Sequence, residues 1–144
     1  MLECFNIVPE HIVIHGGKQL TGWALWEVPG VFIEAEFHCV WQDADGVLHD
    51  LTPRPIPFER ILFLPDSRRE YRGRQVDNVR QALVNDRDVF RFLYLAKRIV
   101  EITNAGDLAY QHGEIQLPPK AAREYWNIQK EMAQLHLRLD RRYP

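Results

Sequence analysis

Three residues whose side chains can together perform acyl transfer occur in order near the start of the chain: Cys4, His38 and Asp50. Many thiol-dependent acyl-transfer enzymes arrange their nucleophile, base and orienting acid in this order. A thiol attacks a carbonyl carbon only as the thiolate, and a helix N-terminus or an adjacent imidazole lowers its pKa. The order therefore predicts thiol chemistry, provided that the fold brings the three side chains together. The alternative is a thiol of the N-terminal segment, a structural histidine and an acid that caps a turn.

The thiol comes just before a predicted helix. The capping signals predict a helix from about Ile7 to His15, with Asn6 as its N-cap and Gly16-Gly17 as its end. The free backbone N–H groups at the start of such a helix would lie near the sulfur of Cys4 and favour its thiolate.

His38 and Asp50 fall in the two strands of a predicted hairpin, so the register of that hairpin decides whether they share a face. A two-residue loop would turn Asp50 away from His38. A three-residue loop that ends at Gly46 pairs Asp43 with Val47 and places Asp50 diagonally beside His38. That loop needs a left-handed residue at its last position, and glycine suits it. The turn chemistry therefore predicts the register that the three-residue site needs.

The same alternation excludes two other candidates. Cys39 points to the face opposite its neighbour His38, and we interpret it as a small core residue. His49 points away from His38 on the second strand, so Asp50 is the residue that can orient the ring.

The other elements complete a predicted α+β fold with an N-terminal helix, a small antiparallel sheet and a helical C-terminal half. We expect a single domain over residues 1–144, in which residues 67–144 form a helical part packed on the sheet-rich part of residues 1–66. The predicted strands are Leu20 to Val28, Val31 to Gln42, Val47 to Thr52 and Arg60 to Leu64. Helical spacing occurs over Val76 to Leu83, over Val89 to Val100 with Asp86 or Asp88 as its cap, and after Pro118-Pro119 as far as Leu139.

Composition limits the classes of function. The chain has 144 residues, of which 46% are hydrophobic, so it can bury a core. Its net charge of −2 argues against a general nucleic-acid binder. No apolar run suits a membrane span, no signal peptide is visible, and two cysteines do not suggest a disulfide framework. We therefore expect a cytoplasmic protein with reduced thiols.

The chain resembles the transglutaminase-like branch of the papain-like cysteine enzymes over residues 4–53. In that branch a cysteine opens a helix, and histidine and aspartate lie on successive strands. The resemblance is carried by Cys4, by the segment His38-Cys39-Val40-Trp41, by Asp45-Gly46 and by Asp50-Leu51-Thr52-Pro53. The segments Gly16-Gly17 and Gly22-Trp23 resemble the connection that follows the catalytic helix.

The resemblance implies a hydrolase or acyl-transfer enzyme that acts on an amide, such as a deamidase, without a metal or an organic cofactor. Cys4 is then the nucleophile, His38 the general base and acid, and Asp50 the orienting acid. The oxyanion would bind the backbone N–H of Cys4 and one further donor, for which Trp23 and Asn6 are candidates. The expected partner is a protein or peptide substrate.

Two other interpretations stay open. The first is a non-catalytic protein-interaction module with the same fold. The second is a zinc-binding domain, because His11 and His15 are four apart on one helix face and could bind a metal with Cys4 or His38. The sequence predicts neither the substrate nor the oligomeric state.

Overall fold

A computed structural model describes residues 4–54, 56, 58–111 and 115–144. It confirms the α+β fold, with an N-terminal helix and a small antiparallel sheet followed by C-terminal helices. The helices are α1 (Cys4–His15), α2 (Arg87–Thr103) and α3 (Pro119–Arg142), with a short 3₁₀ helix at Gly106–Tyr110. The strands are β1 (Lys18–Val28), β2 (Phe32–Gln42), β3 (Leu48–His49), β4 (Leu62–Pro65) and β5 (Val79–Ala82).

The strands form one sheet in the order β3-β2-β1-β4, and β5 also pairs with β2. β1 and β4 are antiparallel, with Ala24 opposite Phe63. Their close approach requires Gly22, since a Cβ at this position would lie 2.2 Å from the carbonyl oxygen of Leu64. β1 is therefore fixed between β2, which carries His38, and β4.

The hairpin between β2 and β3 has the predicted register. Trp41 lies opposite His49, and the N–H of Asp43 donates to the carbonyl oxygen of Val47 over 3.0 Å. Gly46 has a φ of 82°, the left-handed conformation that the three-residue loop needs. β3 contains only Leu48–His49, so the prediction of a strand up to Thr52 was too long. Asp50 consequently comes directly after the strand.

The first helix begins earlier than predicted. α1 spans Cys4–His15, so Asn6 is an exposed residue inside the helix and the prediction that it caps the helix was wrong. Pro9 is its sixth residue and has no N–H to offer the carbonyl of Phe5. Packing of the buried side chains of Cys4, Phe5 and Val8 compensates for that loss.

The residues divide into two compact units. The first contains the described residues up to Trp26 and those of 35–76, and the second contains residues 27–34 and the described part of 77–144. The prediction of a single domain, with a sheet-rich part up to residue 66, stays a prediction. In the first unit, α1 packs on the sheet in a buried cluster that comprises Cys4, Phe5, Val8, Trp23, Phe37 and Cys39.

The second unit is built on α2 and α3, whose buried side chains include Leu95, Ile102, Ile128 and Leu135. Asp86 caps α2, as one of the two predicted alternatives, by accepting from the N–H of Asp88 over 2.7 Å. The prediction of a helix from Val76 to Leu83 was wrong. This stretch contains β5, and the N–H of Leu83 donates to the carbonyl oxygen of Val31 over 2.8 Å.

Among the described residues, no helix combines the length and the apolar character needed to cross a bilayer.

Candidate active site

His38 and Asp50 form a direct pair inside the first unit. The Nε2 atom of His38 lies 2.9 Å from Oδ1 of Asp50. The His38 side chain is 2% exposed and that of Asp50 is 13% exposed, so water competes little with the pair. Because Nε2 faces the carboxylate, Nδ1 is the ring nitrogen left for another partner.

Two further groups hold the Asp50 carboxylate. Arg54 donates to Oδ2 from Nε over 3.1 Å and from Nη2 over 3.0 Å, and the N–H of Thr52 donates to Oδ1 over 3.1 Å. The Arg54 guanidinium also lies 4.6 Å from the centre of the Trp26 ring. Arg54 thus holds the Oδ2 oxygen, and Thr52 holds the Oδ1 oxygen that faces His38. Together the two residues set the orientation of Asp50 toward the ring.

Cys4, the first residue of α1, lies beside His38 and completes the site. It is 2% exposed, and the side chains of Cys39 and His38 lie close enough to its sulfur to lower its pKa. Cys4 and His38 come from different elements and meet because α1 packs against β2. The structure thus brings together all three residues that the sequence predicts as a site: Cys4, His38 and Asp50.

The site favours a negative charge on the Cys4 sulfur and a positive charge on the His38 ring. The hydrogen bond with the Cys39 thiol and the neighbouring His38 ring outweigh burial and lower the pKa of Cys4 to about 5. Burial opposes the charged ring of His38, but its hydrogen bonds with Asp50 and Cys4 prevail and raise the pKa of His38 to about 9. Between these two pH values the proton lies on the imidazole and the sulfur is a thiolate.

The pKa values of Asp50 and Cys39, the neighbours of His38 and Cys4, are shifted as well. Burial acts against the charged form of Asp50, yet the hydrogen bonds from His38 and Thr52 keep the pKa of Asp50 well below its usual range. The hydrogen bond with Cys4 and burial raise the pKa of Cys39 far above its usual range, so Cys39 stays a thiol. While Cys4 is a thiolate, it is therefore the more nucleophilic of the two sulfurs at neutral pH.

A second histidine–carboxylate pair lies in the same hairpin but away from the thiol. Nε2 of His49 lies 2.8 Å from Oδ2 of Asp43, and the His49 ring packs 4.9 Å from the Trp41 ring. This position agrees with the prediction from the hairpin register that His49 does not belong to the site of His38. His49 provides a matched control for His38, since both histidines pair with an aspartate.

The zinc interpretation requires Cys4 or His38 beside His11 and His15. The rings of His11 and His15 stack at 4.2 Å between centres, and the His11 ring packs 4.5 Å from that of Trp41. Within the part of the chain that the structure describes, no group of three or more His, Cys, Asp or Glu side chains is arranged to hold a metal ion. The structure therefore does not assemble the ligand set that the interpretation needs.

The two candidates for a further oxyanion donor have different positions. Trp23 is a core residue whose indole N–H donates to Oδ2 of Asp66 over 3.3 Å, so this N–H is already engaged. Asn6 is exposed on α1, two residues after Cys4. A role for Asn6 at the oxyanion stays a prediction.

A cleft of about 800 Å³ borders the Asp50 side of the site. Asp50, Thr52 and Arg54 line one part of it. The other lining residues include the apolar Val40, Phe58, Leu62 and Phe63 and the polar or charged His49, Glu59 and Arg60. A cleft of this size can accept a peptide side chain.

Sequence reasoning missed two members of the site. Arg54 was not among the candidate site residues, although its place four residues after Asp50 was a usable signal. Cys39 was assigned to the core because strand alternation separates its side chain from that of His38. The alternation is real, but Cys4 lies close enough to β2 to interact with both residues.

Comparisons with protein-family models, with curated proteins and with solved structures give no match to this chain. The resemblance to transglutaminase-like enzymes therefore stays a prediction.

Proposed function

We propose that this protein is a thiol-dependent hydrolase or acyl-transfer enzyme that acts on an amide. One observation carries the proposal: the buried His38 ring has Asp50 at 2.9 Å on Nε2 and interacts with the Cys4 thiol as well. A thiolate, an imidazolium and an orienting carboxylate are the groups that nucleophilic acyl transfer uses.

The reaction follows from the positions of the protons. The Cys4 thiolate attacks the amide carbon, a C–S bond forms, and the carbonyl electrons move to oxygen. When the C–N bond breaks, the leaving amine takes the proton from His38, and a thioester on Cys4 remains. Water or a second amine then gives its proton to His38 and attacks the thioester, which returns the sulfur as thiolate. Asp50 keeps the ring in place during both steps.

A simple ester tests the first half of this sequence without knowledge of the natural substrate. Exposed to p-nitrophenyl acetate, the protein should release a burst of nitrophenolate and gain an acetyl group of about 42 Da on Cys4. Trypsin cuts after Lys18 and so separates the Cys4 peptide from the Cys39 peptide, which locates the label.

Variants distinguish catalysis from chance reactivity. Cys4→Ala should abolish the burst, and His38→Gln should slow the acylation of Cys4 by about tenfold or more because the thiolate loses its partner. His49→Gln removes a histidine that also pairs with an aspartate, and it should keep the burst. Equal rates in the wild type and in His38→Gln would contradict the proposal.

A non-catalytic interaction module is the second candidate, and two observations favour it. Cys4 is 2% exposed, whereas Val13 and Ile14 on α1 are 87% and 76% exposed. Buried thiols are commonly inert, and exposed apolar residues mark binding surfaces. If Cys4 is acylated only after the protein is unfolded, this second function replaces the first.

A further inference from the structure

The two cysteines of the chain lie against one another in the core of the first unit. Cys4 on α1 is 2% exposed and Cys39 on β2 is 0% exposed, and both are free thiols. They belong to one buried cluster, and each thiol shifts the pKa of the other. The face of β2 that carries Cys39 also carries Phe37, and this is the face on which α1 packs. The two sulfurs thus come together from separate elements.

We propose that Cys4 and Cys39 form a reversible disulfide when the protein meets a peroxide, and that this bond switches off the nucleophile of the site. The inference rests on the proposed function, because it is a regulation of the same thiol. It gives Cys39 a role that acyl transfer alone does not require.

The chemistry needs two steps and one equivalent of peroxide. The Cys4 thiolate attacks one peroxide oxygen, an S–O bond forms, the O–O bond breaks, and the departing hydroxide takes a proton to become water. The Cys39 sulfur then attacks the sulfenic sulfur of Cys4, an S–S bond forms, the S–O bond breaks, and a second water leaves with the Cys39 proton. Two thiols are oxidised by two electrons and the peroxide is reduced to two waters.

The opposite pKa shifts of the two thiols support oxidation of Cys4 first and attack by Cys39 second. Cys4 is the thiolate, since its pKa is lowered, and it is the sulfur that a peroxide oxidises. Cys39 is held as a thiol beside it, in the position of a resolving cysteine. The apolar packing of Phe5 and Phe37 around the pair leaves Cys39 as the nearest thiol for a sulfenic acid on Cys4.

The test uses the full chain and hydrogen peroxide, followed by alkylation of free thiols with N-ethylmaleimide in denaturant. The inference predicts a mass loss of about 2 Da with no maleimide attached, and full reversal by dithiothreitol. Trypsin should yield one cross-linked species, which joins the peptide ending at Lys18 to the peptide that contains Cys39. Sulfinic or sulfonic acid on Cys4 with a free Cys39, or dimers linked between chains, would overturn the inference.

A variant checks the role of Cys39. Cys39→Ser keeps a hydrogen-bonding group beside Cys4 but cannot resolve a sulfenic acid, so peroxide should now drive Cys4 to sulfinic acid. If Cys39→Ser does not fold, reversal by dithiothreitol in the wild type still shows whether peroxide forms the Cys4–Cys39 disulfide. Acylation of Cys4 by the ester without any disulfide would refute this inference alone, whereas a disulfide without acylation would refute the proposed function alone.

Discussion

The imidazole of His38 is the residue on which the site depends, because it faces a carboxylate and a thiol at once. Burial alone would keep this ring neutral, yet the two partners reverse that effect and raise the pKa of His38 to about 9. The hydrogen bond with the Asp50 carboxylate is the largest single contribution that raises this pKa. The charge of the ring therefore depends on a residue that does not touch the sulfur.

This dependence predicts the effect of Asp50→Asn. The substitution removes the charge but keeps the size of the side chain, so the pKa of His38 should fall well below about 9. An NMR titration of the imidazole nitrogens measures it directly. Asp66→Asn serves as a control, since Asp66 pairs with Trp23 and Arg68 in the same unit. An unchanged His38 titration in Asp50→Asn would show that the pair does not set the charge of the ring.

At the scale of elements, the β2–β3 hairpin shows what the sequence could predict. The choice between two registers depended on one glycine, and the φ of 82° at Gly46 with the pairing of Asp43 and Val47 confirms that choice. A left-handed glycine is a strong local signal, because few other residues adopt this conformation without strain. The placement of His38 beside Asp50 follows from it.

Other elements could not be predicted because their determinants are not local. β5 carries Val79 and Ala82 at a spacing that also suits a helix, and only pairing with β2 makes it a strand. The contact of Cys4 with Cys39 depends on how α1 packs, which alternation along one strand does not reveal. The four-residue spacing of Asp50 and Arg54 was a signal in the sequence, but the two side chains pair only because the chain between them turns back.

Gly46→Ala tests the role of the hairpin. The variant should lose about 1 kcal/mol of unfolding free energy, since alanine disfavours a left-handed φ. It should also slow the acylation of Cys4, because strain in the turn disturbs the pairing of Asp50 with His38. Gly73→Ala is the matched control, with a φ of 75°, open space around its Cβ and a position in the same unit.

Urea unfolding gives the stability of both glycine variants, and the nitrophenolate burst gives their acylation rates. Similar losses of stability with slower acylation only in Gly46→Ala would support the account. If both variants acylate at the wild-type rate, the register of the hairpin does not control the site.

At the scale of the whole molecule, the groups that most strongly shift the pKa of Cys4 or His38 belong to the first unit. The second unit has its own polar anchor at Asp86. This residue caps α2, pairs with Arg142 of α3 and accepts from the Tyr143 hydroxyl over 2.8 Å. The described residues that contact Asp86 are different from those that contact Cys4, His38 and Asp50.

Asp86→Ala should therefore change stability but not the chemistry of Cys4. Loss of the cap should cost about 1 kcal/mol near neutral pH, and Asp86→Asn should cost less because asparagine also caps. The Arg142 hydrogen bond lowers the pKa of Asp86 to about 2. The ionised carboxylate thus adds stability above the unfolded pKa of about 3.9, and this contribution disappears as the pH falls toward about 2.

Urea unfolding between acid and neutral pH measures this prediction, with the acylation rate of Cys4 as the second readout. The difference between the wild type and Asp86→Ala should narrow below about pH 4. A stability difference that does not change with pH would contradict the assignment of Asp86 as an ionised anchor.

The central claim is that Cys4 is a thiolate beside a protonated His38, and the pH dependence of alkylation tests it most directly. The rate at which iodoacetamide modifies Cys4 in the folded protein should reach half its maximum near pH 5 and stay level through neutral pH. In His38→Gln the half-maximum should move to higher pH, while His49→Gln should follow the wild type. A half-maximum near the ordinary thiol value of about 8.5 in the wild type would contradict the account.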